Sequence, residues 1–107
     1  MYFVYLLRCV DSSIYCGYTT DVAHRIKAHK GEIPGGAKYT RSHPPVRVET
    51  VWSCFDKSAA LSLERALKSL ERCEKEALIK DASLSALPEG KIDPSDYFAC
   101  PEYVGDI

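Results

Sequence analysis

The sequence predicts an α+β domain, within the broad α/β class, in which a small three-stranded, mainly antiparallel sheet is flanked by helices in the order β-β-α-β-α-α. Two aromatic and aliphatic runs near the N-terminus are separated by turn residues, and a third alternating run follows a basic loop. Apolar residues then recur at helical spacing in the second half. A chain of 107 residues is long enough to bury one core but not two.

The N-terminal part predicts a hairpin with strands at residues 2–9 and 14–19 and a turn at residues 11–13. Gly17 lies inside the second strand, where a glycine packs no side chain and loses much entropy on ordering. We therefore expect a bulge, a bend, or the close approach of another group to the backbone at this position.

The register of this hairpin decides whether two tyrosines lie on the same face. A three-residue loop that pairs Val10 with Ile14 places Tyr5 opposite Thr19, and Tyr5 and Tyr15 then project the same way. A loop of two or four residues would place the tyrosines on opposite faces. The three-residue loop prefers a left-handed residue, usually glycine, and the chain offers only serine.

The first helix is expected to follow a cap at Thr20 or Asp21 and to run to about Lys30. Arg25 and His29 are four residues apart on this helix, so they share one stripe of its surface.

Residues 31–45, GEIPGGAKYTRSHPP, combine glycine, proline and basic residues and indicate a loop. Residues 46–55 predict the third strand, Asp56 or Ser58 caps the next helix, and residues 72–80 indicate another short helix. The helix after the third strand has a wide apolar stripe, made of Ala59, Ala60, Leu63, Ala66, Leu67 and Leu70.

The domain is predicted to span residues 1–81, followed by an acidic C-terminal tail at residues 82–107. Prolines, glycines and acids occur in that tail without sustained periodicity. We therefore expect it to be irregular or mobile.

The composition argues against membrane insertion and against metal or disulfide scaffolds. No run approaches the roughly 18 apolar residues of a membrane span, and the N-terminal run lacks the basic region and cleavage site of a signal peptide. The five cysteines are odd in number and none forms a CxxC pair, which is atypical of a disulfide framework or a zinc knuckle. Free thiols in a reducing cytoplasm are the expectation.

Charge is distributed unevenly along the chain, although the net charge is only −1. Residues 24–47 hold six Lys or Arg against one acid, a local charge of +5, whereas residues 71–107 have a local charge of −5. The basic middle can face phosphate. A solvated surface without a partner is the alternative.

The order and spacing of several short stretches resemble the GIY-YIG nucleases. Val4-Tyr5 is followed ten residues later by Tyr15-Cys16-Gly17, then by Arg25 and His29 on one helix and by Glu64 on a later one. The chain is most similar to the small stand-alone bacterial members and to the nuclease subunit of structure-specific junction resolvases. The stretches that carry the resemblance are VYLLRC, SIYCGYTTDVAHRIKAHK, GGAKYTR and ALSLERALKSL.

The chain departs from the family pattern at the glycine and isoleucine of the first motif, which are Phe3 and Val4, and at the isoleucine of the second, which is Cys16. A polar residue that lies near the phosphate in the family has no clear counterpart. Both tyrosines and Gly17 are present.

The resemblance implies the GIY-YIG fold and a metal-dependent endonuclease that hydrolyses phosphodiester bonds. Glu64 would hold Mg²⁺ or Mn²⁺ through one carboxylate, and Arg25 would bind the phosphate with its forked donors. Tyr5 would take a proton from the attacking water, while His29 would relay protons or contact the phosphate. Tyr15 would bind the phosphate or hold Tyr5 in place.

The substrate side of this site is expected around Gly17 and the GGAKYTR stretch. Gly17 would permit close backbone approach, Lys38 and Arg41 would contact phosphates, and Tyr39 would offer a stacking surface. DNA is favoured over RNA as the substrate, in repair or processing of branched or damaged structures. The sequence contains no recognition helix or zinc finger, so specificity would come from shape or from a partner protein.

Ordinary structural roles remain open for each residue taken alone. Tyr5 and Tyr15 suit half-buried strand positions, and Glu64 suits an i,i+4 pair with Lys68. Arg25 likewise suits a pair with Asp21.

Two other functions also remain open. The first is a catalytically weak nucleic-acid- or partner-binding module whose acidic tail covers the basic groove or docks elsewhere. The second is a thiol-based redox or metal sensor at Cys9 and Cys16.

Overall fold

The computed structural model, which describes residues 1–81, 83–87 and 92–107, follows the predicted order of elements with three additions. The predicted α+β class, an antiparallel sheet flanked by helices, is confirmed. The additions are a short helix, α2, and two short strands, β4 and β5. The elements are β1 (Tyr2–Cys9), β2 (Ile14–Thr19), α1 (Val22–His29), α2 (Lys38–Ser42), β3 (Pro45–Cys54), α3 (Lys57–Lys68), α4 (Arg72–Lys80), β4 (Phe98–Ala99) and β5 (Gly105–Asp106).

The sheet has the order β2-β1-β3-β4, with β5 also pairing with β3, and β2 forms one edge. All of these pairings are antiparallel. β1 lies between β2 and β3, and its residues 4–7 are at most 1% exposed. Because side chains alternate along a strand, this buried run packs one set of residues on each face of the sheet.

The two faces carry two cores. Even-numbered residues of β1 and β2 pack with α3 and α4, whereas odd-numbered residues pack with α1. The α3 side includes Val4, Leu6, Cys16, Trp52, Leu63, Leu67 and Leu78, and the α1 side includes Tyr5, Leu7, Val22, Ile26, Val48 and Val51.

Both main helices begin at an aspartate, which decides between the candidate caps. An Asp21 carboxylate oxygen accepts from the His24 N–H at the start of α1, and one from Asp56 accepts from the Ala59 N–H at the start of α3. Each bond satisfies a backbone donor that the first turn of a helix leaves unpaired.

The hairpin register differs from the predicted one, because the three-residue loop begins one residue earlier in the chain. Val10 does not pair with Ile14; instead the Cys9 N–H donates to the Ser13 carbonyl, and Ile14 lies opposite Arg8. The loop still contains three residues, so the prediction that odd-numbered residues share a face is retained.

Serine takes the left-handed position in this loop. Ser12 has φ 70°, and its N–H donates to the Cys9 carbonyl. Asp11 accepts from both the N–H and the hydroxyl of Ser13, which stabilises the turn in place of a glycine.

The C-terminal segment departs from the expected irregular or mobile tail. Residue 82 and residues 88–91 lie outside the described residues, but residues 92–107 pack against the domain. β4 and β5 pair with opposite ends of β3, and the Tyr97 hydroxyl donates to the Ala59 carbonyl at 2.7 Å. The segment therefore covers the edge of β3, which would otherwise expose unpaired backbone groups.

Gly17 lies directly opposite Tyr5, and the Tyr5 ring occupies the space beside it. A Cβ at residue 17 would lie 2.5 Å from the Tyr5 hydroxyl oxygen and 2.7 Å from ring atom Cζ. The glycine is therefore required by the close approach of the tyrosine across the hairpin.

Gly17→Ala should destabilise the protein by about 1–3 kcal/mol, because the new methyl group displaces the buried ring of Tyr5. The free energy of unfolding in urea measures this loss. In a Tyr5→Leu background the shorter side chain leaves room, so the two substitutions should be less than additive. A change within about 0.5 kcal/mol for Gly17→Ala would contradict the steric explanation.

Candidate active site

A buried chain of hydrogen bonds joins β1, α1 and α2. The Tyr5 hydroxyl oxygen lies 2.7 Å from His29 Nε2, and His29 Nδ1 lies 2.9 Å from the Thr40 hydroxyl oxygen. Thr40 donates its own proton to the Ala37 carbonyl at 3.0 Å, so it accepts from His29 Nδ1–H. His29 Nε2 is then unprotonated and accepts from the Tyr5 hydroxyl, which fixes both the tautomer and the orientation of the ring.

The segment between α1 and α2 is packed closely enough to make this chain. His29 is the last residue of α1, and Thr40 lies in α2 with 1% of its surface exposed. A Cβ at Gly36 would overlap the Ala28 carbonyl oxygen, so only glycine lets the segment approach the end of α1. The Arg25 guanidinium donates to the Gly35 carbonyl at 2.5 Å. Within the predicted loop, Gly36 therefore serves close packing, whereas Gly31 and Gly35 have positive φ and open space around them.

Burial keeps both titratable groups of the chain neutral. Desolvation raises the pKa of Tyr5, and the nearby Arg25 guanidinium only partly opposes this shift. Desolvation, followed by the positive charge of Arg25, lowers the pKa of His29 to about 4. At neutral pH the pair is therefore a phenol and an uncharged imidazole.

An aromatic cluster continues from His29 to the surface. The rings of Tyr15 and His29 meet edge to face at 5.1 Å. Tyr15 stacks on Tyr39 at 5.7 Å, and Tyr39 stacks on His43 at 4.1 Å. Among the described residues the Tyr15 hydroxyl makes no hydrogen bond, and its ring is partly exposed. Of the two motif tyrosines, Tyr15 is thus the accessible phenol, whereas Tyr5 is buried.

The cationic residues predicted for substrate contact lie on α2. Lys38 and Arg41 are both exposed and one turn apart, while Arg25 on α1 is half-buried. Positive charge is therefore carried by the two helices, α1 and α2, that also contribute His29 and Tyr39.

Glu64 lies on the other side of the sheet. It belongs to α3, its side chain is 17% exposed, and Lys68 Nζ lies 3.7 Å from its carboxylate, so the ordinary i,i+4 pair is present. Glu64 also lies near Cys16, whose pKa rises to about 12 mainly through burial and secondly through this carboxylate. The described contacts thus join Tyr5, Tyr15 and His29 with Arg25 nearby, and Glu64 approaches β2 from the opposite face.

The donor chemistry restricts the kind of metal that fits. In the described ranges no group of three or more His, Cys, Asp or Glu side chains is placed to hold a metal ion. A single carboxylate suits Mg²⁺, which keeps several waters and is commonly completed by substrate phosphate. Glu64 therefore fits as the one protein ligand of such an ion.

Cys9 and Cys16 do not form a common site. Cys16 lies opposite Leu6 and packs toward α3, while alternation places Cys9 on the other face of the hairpin. Their positions argue against a paired thiol sensor.

Two residues of this region were not identified from the sequence, Thr40 and His43. Thr40 lies in the stretch that is predicted to be a basic loop, and the structure shows that this stretch contains the helix α2. The i,i+4 spacing of Tyr39 and His43 is the signal that predicts a ring pair on a helix.

Comparison with known proteins identifies the family of the chain. The family model for the GIY-YIG catalytic domain matches residues 1–77. The chain belongs to the GIY-YIG family. A UPF0213 protein of Haloquadratum walsbyi is 45% identical over 84 residues, covering 77% of this chain and 90% of that protein. A UPF0213 protein of Vibrio cholerae is 48% identical over 82 residues, covering 73% and 76%.

A solved structure is also similar to this GIY-YIG protein. The solution NMR structure of a UPF0213 protein from Bacillus halodurans shares 45% sequence identity, with a TM-score of 0.49. The match covers 75% of this chain and 84% of that one.

None of the helices in the described residues combines the length and apolarity needed to cross a membrane.

Thr40→Val should cost about 1–3 kcal/mol of unfolding free energy, because it leaves the buried His29 Nδ1–H without its acceptor. Thr40→Ser keeps the acceptor and should lose much less. Urea unfolding gives the free energies, and ¹⁵N NMR of the imidazole reports the tautomer. Thr20→Val, at an exposed threonine, is the matched control. Equal losses at both positions would contradict the hydrogen-bonded role of Thr40.

The low pKa of His29 predicts a pH-dependent stability. The folded value of about 4 lies below the ordinary 6.5, so between these values the unfolded chain binds a proton that the folded chain excludes. Stability is therefore fully retained above pH 6.5 and decreases as the pH falls to 4, by on the order of 3 kcal/mol.

The stability advantage of wild type over His29→Asn should narrow by this amount between pH 7 and pH 4 in urea unfolding. NMR titration of His29 in the wild-type protein is an independent measurement. A pKa near 6.5 would contradict the neutral, buried imidazole.

Proposed function

We propose that this protein is a metal-dependent endonuclease that hydrolyses phosphodiester bonds of DNA, in the repair or processing of branched or damaged structures. The observation that carries the proposal is the fixed Tyr5–His29–Thr40 chain, with Arg25 and the open hydroxyl of Tyr15 beside it. A phenol and a guanidinium, each partly exposed, thus lie near Tyr5 in a fold whose family is known.

The two tyrosines have different roles in this proposal. Tyr5 is only 1% exposed and donates its proton to His29, so it is shielded from an attacking water. Its raised pKa also opposes a phenolate. We assign Tyr5 to position His29, and Tyr15, which contacts the His29 ring, to bind the phosphate or the attacking water.

Arg25 binds the phosphate that is cleaved. One of its N–H groups already donates to the Gly35 carbonyl, which orients the planar guanidinium. The remaining donors can form charge-assisted hydrogen bonds to phosphate oxygens, and Arg retains its charge at any physiological pH.

Arg25 and Glu64 approach the sheet from opposite faces, and its β2 edge is the place where one substrate can contact both. β2 is the edge strand, with Tyr15 on the α1 side and Cys16 next to Glu64 on the α3 side. A phosphodiester lying along the outer edge of β2 can contact residues from both faces. A divalent ion at Glu64 would neutralise charge that develops on the phosphoryl oxygens.

The position of the C-terminal segment weakens the alternative of a self-covered binding module. β4 and β5 of this segment pair with β3, at the edge of the sheet opposite to β2. The described part of the acidic tail therefore leaves the proposed substrate edge open.

The four buried free thiols, at Cys9, Cys16, Cys54 and Cys100, suit a reducing cytoplasm.

Glu64→Gln and Tyr15→Phe should each reduce cleavage of labelled DNA by about 100-fold or more, while leaving the fold intact. Cleavage is measured with Mg²⁺ or Mn²⁺ at low salt on single-stranded, duplex and branched DNA and on RNA. Chelation of the metal should abolish it. Glu32→Gln, at an exposed glutamate whose side chain is 54% accessible, should cleave like wild type.

Equal cleavage by wild type and Glu64→Gln would indicate a contaminating nuclease. Salt-sensitive DNA binding without cleavage by the wild-type protein would instead support the binding module.

A further inference from the structure

Two rings extend outward from Tyr15 and have no part in the proposed chemistry. The rings of Tyr15 and Tyr39 are inclined by 20°, and those of Tyr39 and His43 by only 10° at a centroid distance of 4.1 Å. This nearly parallel stack resembles the way nucleic-acid bases lie on aromatic side chains.

His43 is the outermost ring of the stack. One of its faces lies on Tyr39, its Nδ1 is 3.0 Å from the Tyr39 carbonyl oxygen, and its Nε2 is 3.6 Å from the Asp11 carboxylate. The side chain nevertheless remains 37% exposed. With one face and both nitrogens in contact with the protein, the opposite face is the part of the ring that is open to a ligand.

The helix that carries Tyr39 also carries positive charge. Lys38 and Arg41 are exposed on the same short helix as Tyr39, one turn apart from each other. An exposed ring that directly follows a helix with two exposed cations matches a nucleotide, which pairs a flat base with a phosphate.

We infer that the exposed face of His43 binds the base of an unpaired nucleotide, while Lys38 and Arg41 hold the adjoining phosphates. Both faces of a base inside a duplex are covered by its neighbours, so only an unpaired or terminal base can present a face to the ring. The inference rests on the proposed function and specifies its substrate as DNA with an unpaired segment next to the cleaved phosphate.

The test separates base stacking from phosphate binding. Fluorescence anisotropy is measured in chelator, without cleavage, for a labelled oligothymidylate of about 12 nucleotides, for an abasic strand of the same length and for a blunt duplex. Wild type should bind the oligothymidylate about tenfold more tightly than the abasic strand. His43→Ala should remove most of this difference, and His43→Phe should retain it.

Two controls distinguish the contributions. Lys38→Ala should weaken binding of both strands by the same factor, because its contact is to phosphate. His24→Ala removes an exposed histidine of α1 and should leave both affinities unchanged.

An unchanged ratio in His43→Ala, or equal wild-type affinity for the two strands, would overturn the inference. Absence of binding to every oligonucleotide at low salt would also overturn it. Cleavage by wild type with metal, together with an unchanged ratio, would retain the nuclease and reject the unpaired-base site. A tenfold ratio without cleavage would retain the unpaired-base site and reject the nuclease.

Discussion

The contact between Tyr5 and His29 is the interaction on which the site depends. The tyrosine projects from the central strand, across Gly17 of the neighbouring strand, to a histidine at the end of α1. His29 is in turn hydrogen-bonded to Thr40 of α2. Tyr5 and His29 together therefore join the sheet to α1 and, through Thr40, to α2, and Gly17 leaves room for the Tyr5 ring.

Burial makes this contact a structural element more than a reactive one. A buried phenol and a buried imidazole are costly when charged, so both remain neutral and hydrogen-bonded to each other. The reactive positions lie nearer the surface, where Tyr15 and Arg25 are both partly exposed. A rigid neutral support behind accessible groups is the arrangement that pre-organises a site.

The two edges of the sheet differ in what covers them. The β2 edge is open and borders the candidate site, whereas the β3 edge is covered by the C-terminal segment. Arg47 contributes to that cover by donating to Asp106, and it also pairs with Glu49. Glu49 and Glu76 together bind Arg8 next to the hairpin turn. The acidic character of the C-terminal part is thus partly neutralised by partners within the fold.

The sequence by itself determined the order of the main elements and the family, and it limited each helix cap to two candidates. These features depend on local periodicity and on spacing along the chain, so short stretches contain them. Only the tertiary structure decided that Gly17 accommodates Tyr5, that Thr40 fixes His29, and that Glu64 approaches from the opposite face. It also decided the docking of residues 92–107 on β3. Such features depend on which side chains meet across elements, through burial and steric fit between residues far apart in sequence, and no local pattern encodes those distances.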